Sequence, residues 1–308
     1  MTAPEALVSA VTAGDRRALA RLITLVEDDL PGAAEALREA FTAAAPSHRI
    51  GITGAPGAGK STLTDRLIAA ARDAGETVAV LAVDPTSPFT GGAVLGDRVR
   101  MQDHVLDRGV FVRSMASRGH LGGLAVAAPK ALLAMEAGGF SRLIVETVGV
   151  GQDEVEVVSA ADTVVVVVTP GWGDGIQAAK AGILEIGNVF VVNKADREGA
   201  AETVADLRAM LDMGSHDGWV PPVLETVAVE DRGVAEVWEA IRAHRTHMGD
   251  PGVARARSRR RLWELETALV GELRERARRA MDQGSQLVAA VAAGETDPWT
   301  AAGILAAR

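Results

Sequence analysis

Residues Gly54-Ala55-Pro56-Gly57-Ala58-Gly59-Lys60-Ser61 fit the pattern G-x-x-x-x-G-K-[ST]. Such a run captures phosphate. Its glycines let backbone N–H groups turn inward around phosphate oxygens, and the helix that follows, entered through Thr62, adds the positive end of its dipole. Lys60 would neutralise charge on the β- and γ-phosphates, and Ser61 would hold Mg²⁺. A second run, Asn193-Lys194-Ala195-Asp196, fits N-K-x-D. An aspartate placed there accepts from guanine N1–H and N2–H₂, donors that adenine does not present in that arrangement. The stem of Lys194 would lie on the plane of the base. A third segment, Glu225-Thr226-Val227-Ala228, stands where such sites usually close with Ser-Ala. Val227 replaces the serine, and the N–H of Ala228 is expected to serve guanine O6.

Acidic residues suggest the metal side. Glu146-Thr147-Val148-Gly149 resembles D-x-x-G with the acid one methylene longer. Gly149 would meet the γ-phosphate, and Glu146 would hold Mg²⁺ or its waters. A Gln directly after that glycine would position the attacking water. Here Val150 follows, and the nearest glutamine is Gln152, so slow intrinsic hydrolysis is expected. Asp84 ends the run Thr77–Val83, where a parallel strand presents its carboxyl end to a ligand crevice. Asp97 follows Gly91-Gly92, in a loop able to order around γ-phosphate and metal.

These residues need a scaffold, and the chain spells one. Short β-branched runs at 49–53, 77–83, 110–113, 142–147, 163–169, 189–193 and 223–228 alternate with helical stretches. This is the grammar of an α/β, doubly wound, mainly parallel sheet. Thr163–Thr169 shows no alternation and is expected to be buried on both faces. Residues 3–45 read as helices broken at Pro31-Gly32. A long helix over 255–282 carries the stripe Leu262, Leu265, Leu269, Leu273 and Ala277. The expected regions are an N-terminal helical extension (1–45), a phosphate-binding domain (46–248) and a C-terminal helical region (249–308).

Composition narrows the function. The 308 residues carry 32 Lys+Arg against 41 Asp+Glu, a net charge of −9. That balance argues against a nucleic-acid-coating protein. The run Arg255–Arg261 is followed by Glu264, Glu266, Glu272 and Glu275 on the same helix, which reads as a solvated or inter-subunit face. There is no cysteine, hence no disulfide and no thiolate metal site. No signal peptide or membrane span is legible, and a cytoplasmic location is expected. Only four basic residues are lysines, at 60, 130, 180 and 194, and there are only two asparagines, at 188 and 193. GC-rich coding produces such a bias, and the survivors crowd into the motifs.

Together these motifs, with Val83-Asp-Pro-Thr-Ser-Pro88, Arg113-Ser-Met-Ala-Ser-Arg-Gly-His-Leu-Gly-Gly123, Glu146-Thr-Val-Gly-Val-Gly-Gln152 and Pro170-Gly-Trp-Gly-Asp174, resemble the methylmalonyl-CoA mutase-associated GTPases, the MeaB/ArgK group with its MMAA-type human relative. The resemblance implies a P-loop G domain of the SIMIBI class that uses GTP/GDP and Mg²⁺. It implies a homodimer built partly by C-terminal helices, and a chaperone that gates adenosylcobalamin delivery to an acyl-CoA mutase. It also implies that Asp84, Asp97 and Glu146 form the Mg²⁺-side acidic set. Gly171–Lys180 then looks like a third switch loop with Lys180 as its charged reporter. Trp172 and Ile176 are bulkier than that loop usually carries. A nickel-delivery GTPase competes with this reading but would need a Cys/His ligand set. A P-loop kinase also competes, and N-K-x-D argues against ATP use.

Overall fold

The computed structural model describes residues 4–84, 104, 106–116, 127–147, 159–171, 185–214 and 218–307. Seven strands form one sheet: β1 (His48–Gly54), β2 (Val78–Asp84), β3 (Val110–Ala116), β4 (Arg142–Thr147), β5 (Thr163–Val168), β6 (Val189–Asn193) and β7 (Val223–Thr226). Their order is β3-β2-β4-β1-β5-β6-β7, and every pairing is parallel. The chain lays β2, β3 and β4 to one side of β1 and β5, β6 and β7 to the other. The order therefore reverses at β1, and a crevice opens beyond its carboxyl end.

β5 shows why an unbroken valine run suits this position. Val165 and Val167 enter a cluster with Ile50, Ile52, Leu67 and Trp238. Val164, Val166 and Val168 enter the opposite cluster with Phe190, Leu207 and Leu211. Both faces are covered, so alternation would leave polar groups buried. Helix α4 (Lys60–Asp73) serves the first cluster and α6 (Ala200–Asp212) the second.

The N-terminal segment forms three helices, α1 (Pro4–Thr12), α2 (Arg16–Glu27) and α3 (Ala33–Ala43), which pack on α5 (Ala128–Ala137). The sequence predicted one break, at Pro31-Gly32. A second break lies at Gly14, in the left-handed region (φ 86°), followed by Asp15. Asp15 Oδ1 accepts from the N–H groups of Arg17 and Ala18 at 2.8 and 3.1 Å, which caps α2. The N–H of Ala18 and then that of Arg17 hold its carboxyl below the usual carboxylate range.

Helix α7 (Val234–Gln283) begins well before the expected residue 255 and kinks at Gly249 (φ 55°), just ahead of Pro251. A proline in the first turn after such a glycine has no helical N–H to lose, so the helix resumes. Two compact units divide at Arg260/Arg261. The N-terminal helices share the sheet's unit because α1–α3 seat on α5. The first unit reaches Arg260 because that side chain is 4% exposed and ion-paired with Asp162. Arg260 is thus a buried member of the basic run read as solvated. Asp162 also accepts from the Arg49 N–H (2.9 Å), and Glu136 accepts from Arg49 Nε and Ser47 Oγ, both at 2.9 Å. Burial pushes the Glu136 carboxyl up, but the charge and hydrogen bond of Arg49, then Ser47 and Arg260, hold it below its usual value.

Beside this cluster His48 is buried, and burial first, then Arg142, Arg245 and other neighbouring cations, pushes its pKa down to about 3. The folded state therefore prefers neutral imidazole. An unfolded histidine protonates near pH 6.5, so the unfolded chain binds more protons between about pH 6.5 and 3. The stabilisation is fully present above pH 6.5 and is lost as the pH falls. Between pH 7 and pH 5 this one site is expected to withdraw about 2 kcal/mol. Thermal unfolding across that range should show a flatter pH dependence in His48→Gln.

The second unit, Arg261–Arg308, contains the end of α7, α8 (Ser285–Ala292) and α9 (Pro298–Ala306). Leu262, Leu265, Leu269 and Leu273 are all more than half exposed. No helix among the described residues is long and apolar enough to cross a membrane.

Candidate functional site

The phosphate loop joins β1 to α4. Gly54 has φ 133°, and a Cβ there would lie 1.9 Å from Val167 O on the neighbouring strand. Gly59 has φ 90°, and its Cβ would lie 2.3 Å from Asn193 Nδ2. The motif's spacing is thus enforced twice, by backbone conformation and by close approach. Ala55, Pro56, Gly57 and Ala58 complete the turn, and Lys60, Ser61 and Thr62 open α4. The Lys60 ammonium, 6% exposed, donates to Gly54 O (2.8 Å) and Ala55 O (3.0 Å) and so spans the loop mouth.

Ser61 Oγ donates to Glu146 Oε1 at 2.5 Å, with Glu146 buried at the carboxyl end of β4. A hydroxyl and a carboxylate at the first turn of a phosphate-loop helix are both hard oxygen donors, the chemistry Mg²⁺ requires. These residues fit that ion. Register places Ala82 beside Glu146 and Val83 beside Thr147, so Asp84 extends the same edge by one residue. The side chain of Asp84 lies outside the described residues. So do Asp97, Gly149, Gln152 and the whole of Trp172–Lys180.

Two side chains join the base motif to the phosphate loop, the buried amide of Asn193 and the ammonium of Lys194. Asn193 Nδ2 donates to Ala58 O (2.8 Å), while Oδ1 accepts from Thr226 Oγ1 (3.0 Å) and the Ala228 N–H (3.1 Å). The Ala228 N–H, expected at guanine O6, is thus engaged by Asn193. Val227 is buried, and its N–H donates to Arg232 O (3.0 Å), so the valine in the serine position anchors a tight turn. Lys194 adopts the left-handed region (φ 59°), and its Nζ donates to Gly57 O at 2.7 Å. A non-glycine residue held there is strained and needs surrounding structure to fix it. Asp196 is exposed one turn further on. Thr226 was missed by motif reading. Its signal is a threonine in register with Asn193 on the adjacent strand.

Arg113, the first residue of the family motif at 113–123, has a structural role. Its guanidinium meets Glu27 (2.5 Å) and Thr24 (3.3 Å) of α2. Arg118 and His120 lie outside the described residues. Among the described residues no group of three His, Cys, Asp or Glu side chains could hold a metal ion by itself.

A parallel sheet with a glycine-built phosphate loop, tied through Asn193 to an N-K-x-D corner, defines a P-loop GTPase. The chain belongs to the MeaB family, the methylmalonyl-CoA mutase-associated GTPases, whose family model matches residues 19–282. It is 47% identical over 306 residues to a Pyrococcus abyssi protein named as a GTPase, covering 97% of this chain and 94% of that one. It is 40% identical to the Escherichia coli GTPase ArgK over 238 residues, 74% of this chain and 72% of ArgK. The mouse methylmalonic aciduria type A homolog, mitochondrial, is 33% identical and is matched over 70% of this chain and 54% of its own length. Among solved structures, an LAO/AO transport system kinase superposes with a TM-score of 0.73 at 28% identity, covering 99% of this chain and 97% of that one.

Proposed function

We propose that this chain is a slow, partner-stimulated GTP-hydrolysing chaperone of an adenosylcobalamin-dependent acyl-CoA mutase, acting as a homodimer. The observation that carries the GTP reading is Asn193. One buried amide fixes the spacing between a phosphate loop and a carboxylate suited to guanine. That carboxylate is the reason to prefer GTP over the ATP of a kinase. The mutase reading rests on the family, which is associated with methylmalonyl-CoA mutase. The dimer reading is supported by the exposed leucine stripe of residues 262–273.

In this reading Lys60 leaves the carbonyls of Gly54 and Ala55 for the β- and γ-phosphate oxygens. Backbone N–H groups of residues 57–62 turn toward the same charge. Ser61 and Glu146, with Asp84 and Asp97, would hold Mg²⁺, which would supply neutralisation of the triphosphate. Water is positioned by groups around Gly149 and Gln152 only after the switches order, with Lys180 reporting that state. Val150, in place of a glutamine, keeps the unaided rate low.

One experiment joins base reading to client binding. A purified adenosylcobalamin-dependent methylmalonyl-CoA mutase is passed over immobilised protein with GTP, GDP or XTP. Wild type should change its retention of the mutase with GTP against GDP and ignore XTP. Asp196→Asn should respond to XTP instead, because an amide donates to xanthine O2 where the carboxylate needs a donor. Retention that ignores the nucleotide in both proteins would sink the chaperone reading. Unchanged GTP preference in the variant would sink the base assignment.

A further inference from the structure

A cleft of about 760 Å³ lies at the amino-terminal edge of the sheet, the edge opposite the nucleotide residues. Asn188 and His244 line it where β5 and β6 begin, and Trp219, His247, Arg255 and Arg259 border it. All belong to the unit that ends at Arg260.

One hydroxyl determines the hydrogen pattern of its lining. Thr163 Oγ1 lies 2.8 Å from His48 Nε2 and 2.8 Å from His244 Nδ1. The Thr163 hydroxyl is fully buried and has no partner besides these two ring nitrogens among the described residues, so its one proton goes to one imidazole and the other imidazole donates to it. His48 Nδ1 is buried and has no hydrogen-bond partner among the described residues. A buried N–H without an acceptor is the rarer and costlier defect. The His48 proton therefore sits on Nε2 and is donated to Thr163, which donates in turn to His244 Nδ1. The proton of His244 is then on Nε2, the nitrogen turned away from Thr163. His244 is 6% exposed and lines the cleft, and Nε2–H is the donor its ring has left to offer a ligand. Burial lowers its pKa to about 4, with a smaller push from His247, so near neutral pH the tautomer persists.

The charged lining has the same sense. Asp162 is already bonded to Arg260 and to the Arg49 N–H. Arg255 and Arg259 then outweigh Glu185. Arg259 is oriented by donation to Ala161 O at 3.4 Å. Trp219 provides the apolar wall. Its Nε1 donates to Asn188 O (2.8 Å), and its ring stands 5.0 Å from His244 and 5.3 Å from His247. Met248 and Leu211 extend that wall.

We propose that this cleft binds a small organic anion with a flat or apolar body, its acid group on Arg255, Arg259 and His244 Nε2–H and its body against Trp219 and Met248. The probe is 1-naphthoate, titrated into the full-length protein by calorimetry and tryptophan fluorescence, with uncharged 1-naphthamide as control. The acid is expected to bind at least about tenfold more tightly than the amide, since charge-assisted hydrogen bonds are lost in the amide. Arg255→Glu with Arg259→Glu, both exposed positions, should weaken naphthoate by about tenfold or more and leave GTP affinity unchanged. Trp219→Phe should shrink the fluorescence change. Equal binding of acid and amide, a double variant that binds like the parent, or no binding of either probe would overturn the proposal.

Discussion

Lys60→Ala is expected to weaken GTP binding by about a hundredfold or more, read by calorimetric titration. Each charge-assisted hydrogen bond contributes roughly 1.5–3 kcal/mol, and the ammonium spans a loop built to hold two phosphates. The fold should survive, because Lys60 holds carbonyls at the loop mouth rather than filling a core. Lys60→Arg should not rescue. A planar guanidinium needs a wider fork than the narrow seat between Gly54 O and Ala55 O supplies. Nucleotide affinity within a few-fold of wild type for Lys60→Ala would remove Lys60 from the phosphate site.

The second large effect belongs to Asn193. Alanine there strips the partner from Ala58 O, Thr226 Oγ1 and the Ala228 N–H, all close to a residue only 3% exposed. Leaving three such groups unpaired costs about 3 kcal/mol in sum. For a unit of this size that lowers the melting temperature by roughly 5–10 °C. Nucleotide affinity should fall as well, because the loop that cradles phosphate and the corner that reads the base would no longer keep their spacing. A variant that melts like wild type would show that the three bonds are replaced by water. Losing stability while keeping full GTP affinity would separate the amide from the site.

Both motifs were legible because each is local. A phosphate loop is eight consecutive residues and the base corner four, and short-range chemistry prints itself in short-range spacing. The strands were legible for the same reason, and Thr163–Val168 showed its two-sided burial by refusing to alternate. What the chain hid was long-range. Arg49, Glu136, Asp162 and Arg260 come from four separate segments of the chain, and no spacing marks them as one buried cluster. The same holds for the bond between the Ala228 N–H and Asn193 Oδ1, whose partners lie 35 residues apart. The continuation of α7 through Pro251 was hidden differently. Proline ordinarily ends a helical pattern, and only the glycine two residues before it signals a restart.

The two asparagines offer one more consequence. Asn188 immediately precedes β6, where its Oδ1 accepts from the Val164 N–H at 2.8 Å and its carbonyl oxygen accepts from Trp219. Asn193 ends the same strand against the phosphate loop. With no other asparagine in 308 residues, protein isotopically labelled at the asparagine side-chain amide would give two NH₂ resonance pairs in an NMR spectrum. One would report the guanine corner and the other the cleft at the far end of the strand. A single unmutated sample could then show whether a ligand at either end is felt at the other.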